Sequence, residues 1–356
     1  MAWTTAYLAA LGDPRQTPPF MPQPRSFSAQ RVRQTVRLRR GGRTLRLVLS
    51  NEFGNGPLVI DAVTVGGGVP VPYQGGAQWK IPPGEAVTGD PVALSTAAGD
   101  ELEIACLVSG DAEPAAYLHS AQRTGDVTPV GGLGGREEFS SLYWITRVLT
   151  DAPATGPVVI AFGDSITRGD GTTGDRDQRY PDHLQRRLFA AGIKDAVVLN
   201  AGIGGNRLLG PLFGPTMTER FARDVLGVPE ATHVVIMGGL NDIAMGASAS
   251  DITEALFALA RRAEERGVQP ILGTLTPLMS SVYEMFQADG NEGVRQAVNR
   301  AIITQRDWPV ADFAARLAAP DDPARLAPAF DSGDGVHPGD AGARAAAEAV
   351  DPSLFT

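Results

Sequence analysis

Apolar positions along the chain follow two rhythms. Up to about residue 150 they alternate with polar ones. In RVRQTVRLRR-GG-RTLRLVLSN, Val32, Val36 and Leu38 mark one run and Leu45, Leu47 and Leu49 the next. The Gly41-Gly42 pair between them predicts a β-hairpin. PLVIDAVTVGG, DELEIACLVSG and SSLYWITRVLT read as further strands, parted by Gly- and Pro-rich segments. Many short strands with frequent turn signals predict an all-β sandwich of jelly-roll type. Past TDAPATGP, Thr150 to Pro157, strands and helices alternate. VVIAF, AVVLN, HVVIMGG, PILGTL and PVADF are uniformly apolar strands, as a parallel sheet covered on both faces requires. In DITEALFALARRAEERG the positions Ile252, Ala255, Leu256, Leu259, Ala260 and Ala263 form one helical stripe, with Asp251 as N-cap and Glu254 as its box partner. The expected organisation is a β-sandwich over residues 1–150 and an α/β domain over 151–356.

In an open parallel sheet, ligands bind beyond the carboxyl ends of the strands. Those ends carry unusual residues here. The first strand runs into GDS and places Ser165 at its end. The second ends in NAGIGGNR, the third in GGLND, and past the fifth comes DSGDGVHPGDAG with Asp334 and His337. Taken singly these are a helix cap, a tight turn, an Asx-turn and a chance pair. Together they supply acyl transfer. A serine hydroxyl needs a base, which an imidazole such as His337 provides near neutral pH. Asp334 can hold that imidazole's tautomer. Backbone N–H groups of Ser165 and of a glycine in GIGG, with the Asn241 side-chain amide, can bind an oxyanion. The G-x-S-x-G elbow and the G-x-x-x-x-G-K-[ST] phosphate loop are both missing from the sequence.

At these residues the sequence resembles the SGNH, or GDSL-type, hydrolases, whose four blocks have counterparts in GDSIT, NAGIGGN, GLND and DGVHP. The resemblance implies a flavodoxin-like α/β/α domain. It also implies Ser165 as nucleophile, His337 as base, Asp334 as its orienting acid, and the Ser165 and Gly205 N–H groups and Asn241 amide as oxyanion donors. Gly204 competes with Gly205 for that role. GGNRLL, TLTP and DSGDGVHPGDAG further resemble two-domain bacterial esterases with a leading β-sandwich. The expected activity is hydrolysis of carboxylic esters, short or acetyl-type; a carbohydrate acetylesterase or an acyltransferase with the same triad is the alternative. The family spans lipases, arylesterases, thioesterases and acetylesterases, so it does not fix the substrate.

Composition narrows the partners. A net charge of -9 argues against nucleic-acid binding by bulk electrostatics. The single cysteine, Cys106, excludes an internal disulfide and reads as a buried, inert thiol. No cofactor or metal is expected. A metal set of Asp331, Asp334, His337 and Asp340 lacks a second histidine at ligand spacing. The arginines between Arg31 and Arg46 are either an anion-binding face or, more commonly, the solvated side of strands. The opening MAWTTAYLAALGDPRQ is a poor secretory leader, and no stretch approaches transmembrane length, which predicts a cytoplasmic chain unless a leader has been trimmed. The loop LMSSVYEMFQADGNEG either lines the pocket with Met279, Tyr283 and Phe286 or forms a packed helix. The linker of about eight residues is short enough to hold the first half at the active-site rim, which would favour short or carbohydrate-borne esters. Partners are therefore a small-molecule or carbohydrate ester, with the oligomeric state left open.

Overall fold

The computed structural model describes residues 3–19, 21, 23–131 and 134–356. Met1 and Ala2 of the opening stretch lie outside the described residues. The chain divides into two compact units, Met1–Ala154 and Thr155–Thr356.

The first unit is built of antiparallel strands. One sheet runs Thr4–Leu8, Ile145–Thr150, Gly42–Ser50, Ala86–Thr88, with Val92–Thr96 also paired to Gly42–Ser50. The other runs Glu137–Phe139, Gly125–Pro129, Phe27–Arg37, Glu101–Ala112, Ala62–Val65, Val69–Pro70. The apolar alternation holds: Val32, Val36, Leu45, Leu47 and Leu49 are all buried. The hairpin does not. Phe27–Arg37 and Gly42–Ser50 belong to different sheets. The chain changes sheet between them, since Arg37 pairs with Glu101 while the Arg39 N–H reaches the Ala6 carbonyl at 2.7 Å. Neither Gly41 nor Gly42 has the positive φ that a primed hairpin turn needs. Gly41 is required for close approach instead, because a Cβ there would stand 2.2 Å from the Thr96 carbonyl oxygen. The arginines of this segment are engaged locally: Arg33 with Asp126, Arg37 with Glu101, and Arg46 with the Gly89 carbonyl. Cys106 is buried, and burial pushes its thiol up to about 12. Thr4–Leu8, within the opening stretch, is a sheet strand, and among the described residues no helix is long and apolar enough to cross a membrane.

The second unit holds a five-stranded parallel sheet in the order Val197–Gly202, Val158–Gly163, His233–Met237, Gln269–Gly273, Val310–Ala311. By chain position within the unit this is 2-1-3-4-5, the flavodoxin-like order, whose crevice opens between the first and third strands. Every residue of Val158–Gly163 is buried, which is why the segment is uniformly apolar. The helix Ala249–Glu264 buries the stripe read from its spacing. Its cap differs, however. Ser248 is the N-cap and accepts the Asp251 N–H at 3.2 Å, so the helix starts earlier and Asp251 sits in its first turn, where its charge meets the helix dipole. The packed helix over 278–293 is also corrected. Before Asn291, where the next helix begins, its helical content is the short 3-10 segment Glu284–Phe286.

Candidate active site

The strand Val158–Gly163 ends two residues before Ser165, and a Cβ on Gly163 would stand 2.3 Å from both the Met237 carbonyl and the Thr167 hydroxyl. Asp164 then caps a one-turn helix, Ser165–Arg168, by accepting the Ile166 N–H at 3.0 Å. Gly169, with φ 110°, closes it by donating to the Ser165 carbonyl at 2.8 Å. Ser165 therefore sits at the first helical position, directly beyond a buried strand. Burial pushes the Asp164 carboxyl up to about 6, against the bond from Ile166 that favours its charged form.

The second contribution is the loop 331–339. Asp331 accepts the N–H groups of Gly333 and Gly335, each at 2.9 Å, and the Ser332 N–H bonds the His337 carbonyl. Inside this turn, Asp334 Oδ1 accepts from the backbone of Val336 and His337 at 2.9 and 2.8 Å. Its Oδ2 lies 2.6 Å from His337 Nδ1, and His337 Nε2 lies 2.8 Å from Ser165 Oγ. An ionised carboxylate only accepts, so Nδ1 carries the proton and Nε2 offers its lone pair to the serine hydroxyl. Burial opposes charge on Asp334, but the bonds from His337 outweigh it and hold the carboxyl at about 2. Burial likewise disfavours imidazolium, yet the bond to Asp334 and the charges of Asp170, Asp334 and Asp164 raise the His337 pKa above its ordinary value.

The loop after the second strand is tied to the same place. Asn200 Nδ2 donates to the Thr167 carbonyl at 2.8 Å, and the Gly202 N–H returns to Asn200 Oδ1. Gly205 is left-handed, φ 68°, and a Cβ there would meet the Phe213 ring at 2.6 Å. On Gly204 it would meet the Arg168 guanidinium at 2.2 Å. From the helix Leu240–Ala244, Asn241 Nδ2 donates to the Asn206 carbonyl at 3.0 Å, and Asp242 accepts the N–H groups of Leu208 and Leu209. Both residues of the Asn-Asp pair thus hold the glycine loop.

Ser165, His337 and Asp334 therefore form one hydrogen-bonded chain, and Asn241 is bonded to the loop that carries Gly205. The sequence model of the GDSL-like lipase/acylhydrolase family matches residues 161–345, more than half of the chain. The chain belongs to this family. It is a hydrolase of ester substrates within the SGNH superfamily. No curated protein sequence matches it. Among solved structures it is similar to an aryl esterase from M. smegmatis, at 19% identity over 54% of this chain and 95% of that one, TM-score 0.45. A carbohydrate acetylesterase family member from Sinorhizobium meliloti shares 21% identity over 56% and 97%, TM-score 0.44. A lipolytic G-D-S-L family member from Veillonella parvula shares 25% over 54% and 94%, TM-score 0.42.

The hydrolase's other histidines are engaged elsewhere. His183 contacts Arg186, His233 contacts Thr232 and the Leu354 carbonyl, and His119 contacts Ser120. Of the four residues weighed as a metal set, Asp334 and His337 bond each other, Asp331 accepts from Gly333 and Gly335, and Asp340 bonds Thr173 through both oxygens. Among the described residues no three His, Cys, Asp or Glu side chains gather as a metal site. Gly169, Gly171 and Gly174 have G-x-G-x-x-G spacing, but they leave a helical turn, whereas the dinucleotide motif leaves a strand. In the 278–290 loop, Phe286 is buried and Tyr283 exposed, and the Val282 N–H bonds the Asp334 carbonyl at 2.8 Å. Sequence reasoning missed Asp170, whose carboxylate is gripped by Arg168 and whose charge acts on His337. It also missed the buried Arg220. No local pattern marks either residue.

Proposed function

We propose that the chain hydrolyses carboxylic esters with Ser165 as nucleophile. His337 takes the hydroxyl proton on Nε2 as Oγ attacks the acyl carbon, and Asp334 stabilises the imidazolium that forms. The tetrahedral oxyanion is held by the N–H groups of Ser165 and Gly205 and by Asn241 Nδ2. Collapse expels the alcohol, which takes its proton from His337. Water then repeats the sequence on the acyl-enzyme and releases the acid. The observation that carries this reading is the unbroken chain Ser165 Oγ, His337, Asp334 at 2.8 and 2.6 Å.

For the acyl group we propose a short, acetyl-type chain. What motivates it is the packing of Phe213 and Arg168 directly against Gly205 and Gly204, on the loop assigned to the oxyanion. The test is a panel of p-nitrophenyl esters of rising acyl length beside acetylated sugars, with and without added alcohol. A fall in kcat/KM beyond butyrate supports the short-acyl reading, and a maximum at octanoate or longer contradicts it. An alcohol that captures most of the acyl group in place of water would make the enzyme an acyltransferase.

A further inference from the structure

The side chain of Arg220 has no solvent exposure. It lies in the short helix Met217–Phe221, just before the chain widens into a π turn over Ala222–Leu226. Its guanidinium stacks over the Phe162 ring, 4.2 Å from the centroid. Its hydrogen bonds reach four groups. Nη2 donates to the Gly163 carbonyl at 2.7 Å, at the end of the nucleophile strand. Nη1 donates to the Ala201 carbonyl at 2.9 Å, at the end of the neighbouring strand, and to Asp224 Oδ2 at 2.8 Å. Nε donates to Asn206 Oδ1 at 2.7 Å.

A buried cation is costly unless paired and fully bonded. Asp224 supplies the charge, but Asp224 is itself already gripped through both oxygens by Arg223. The remaining bonds of Arg220 all end on backbone or side chains of the elements that carry the site. Asn206 follows Gly205 directly, and its carbonyl is the acceptor of Asn241 Nδ2. One planar fork thus spans the strand before Ser165, the loop of Gly205 and the anchor of Asn241. A fork of fixed geometry holds such elements at set distances, which a lysine cannot do.

We propose that Arg220 is the positioning residue of the oxyanion hole, acting through Asn206 on Gly205 and Asn241. This rests on the assignment of Ser165, Gly205 and Asn241 made above. Oxyanion donors must sit where charge develops, and a misplacement of about 1 Å costs about 10²-fold in rate.

The test compares Arg220→Lys, Arg220→Met and Asn206→Ala with the unaltered enzyme. Competent sites are counted by stoichiometric titration with diethyl p-nitrophenyl phosphate, so misfolded protein drops out of the comparison. Per titrated site, Asn206→Ala and Arg220→Met are expected to lose about 10²-fold in kcat with KM unchanged. The inhibition constant of a trifluoromethyl ketone, which forms the tetrahedral adduct, is expected to rise in parallel. Arg220→Lys is expected to fall between Arg220→Met and the unaltered enzyme. Unchanged kcat per titrated site, or a fall in kcat with no change in the ketone's inhibition constant, overturns the proposal. If neither Arg220 variant folds, Asn206→Ala decides by the same readouts. An unaltered enzyme that the phosphate does not titrate overturns both this proposal and the nucleophile assignment beneath it.

Discussion

Replacing Asp334 by asparagine removes one charge and leaves the shape. The asparagine carbonyl can still accept from the Val336 and His337 backbone, which now bond Oδ1. Its amide then faces His337 Nδ1 as a donor, so Nδ1 must accept and the ring proton moves to Nε2. That nitrogen lies 2.8 Å from Ser165 Oγ and can no longer take its proton. The carboxyl is held at about 2 against an ordinary 3.8. Just under two units is about 2 kcal/mol of preference for the charged form. With the Asp334 side chain 24% exposed, solvent screens only part of it. Because the folded pKa is depressed, this stabilisation is present above pH 4 and is lost as pH falls through about 2. The inverted tautomer costs catalysis more, about 10⁴-fold in kcat. The assay is kcat on p-nitrophenyl acetate at pH 7.5 per mole of folded protein, with urea unfolding at pH 7 and pH 3 alongside. A variant that keeps more than about a tenth of kcat would refute the tautomer argument.

Further outcomes follow from the same geometry. His337 must be neutral to act, and its pKa is raised, so the acid limb of kcat/KM is expected to have its midpoint above 6.5. Asp170→Asn removes a charge that favours imidazolium and is expected to move that midpoint down; a midpoint that rises or stays fixed would contradict the electrostatic role. Asn241→Ala is expected to lower kcat about 10²–10³-fold with little change in KM, and a change confined to KM would make Asn241 a ground-state contact. Chelation with EDTA is expected to leave kcat unchanged, since Asp331 and Asp340 already cap Gly333, Gly335 and Thr173; activity lost to EDTA and restored by Zn²⁺ would show otherwise.

The parallel sheet was legible because strands covered on both faces are apolar throughout, and Val158–Gly163 is buried at every position. The motifs that end these strands could be read because acyl transfer demands particular residue types. Alternation in Val32–Leu38 and Leu45–Leu49 revealed which side chains are buried. It did not reveal the pairing partner, because a strand's period is the same in either sheet. The helix cap was misplaced by three residues because Ser248 and Asp251 are both good caps and only the backbone path chooses. The 278–290 segment has helix-forming composition, yet bonds to the 334–335 backbone hold it as a loop: Val282 N–H to the Asp334 carbonyl and Ser280 Oγ to the Gly335 carbonyl. Arg220 was illegible for a related reason. Two of its four acceptors are carbonyls 19 and 57 residues away, and the Arg220–Asp224 spacing in MTERFARD is equally that of an exposed helical ion pair.

On this mechanism Ser165 carries the acyl group between the two half-reactions. Mixing the enzyme with diethyl p-nitrophenyl phosphate, quenching, and mapping the adduct by peptide mass spectrometry tests it most directly. One p-nitrophenol released per chain and one phosphoryl adduct located on Ser165 are expected, and neither in Ser165→Ala. A stoichiometric adduct on any other residue, or undiminished release by Ser165→Ala, would contradict it.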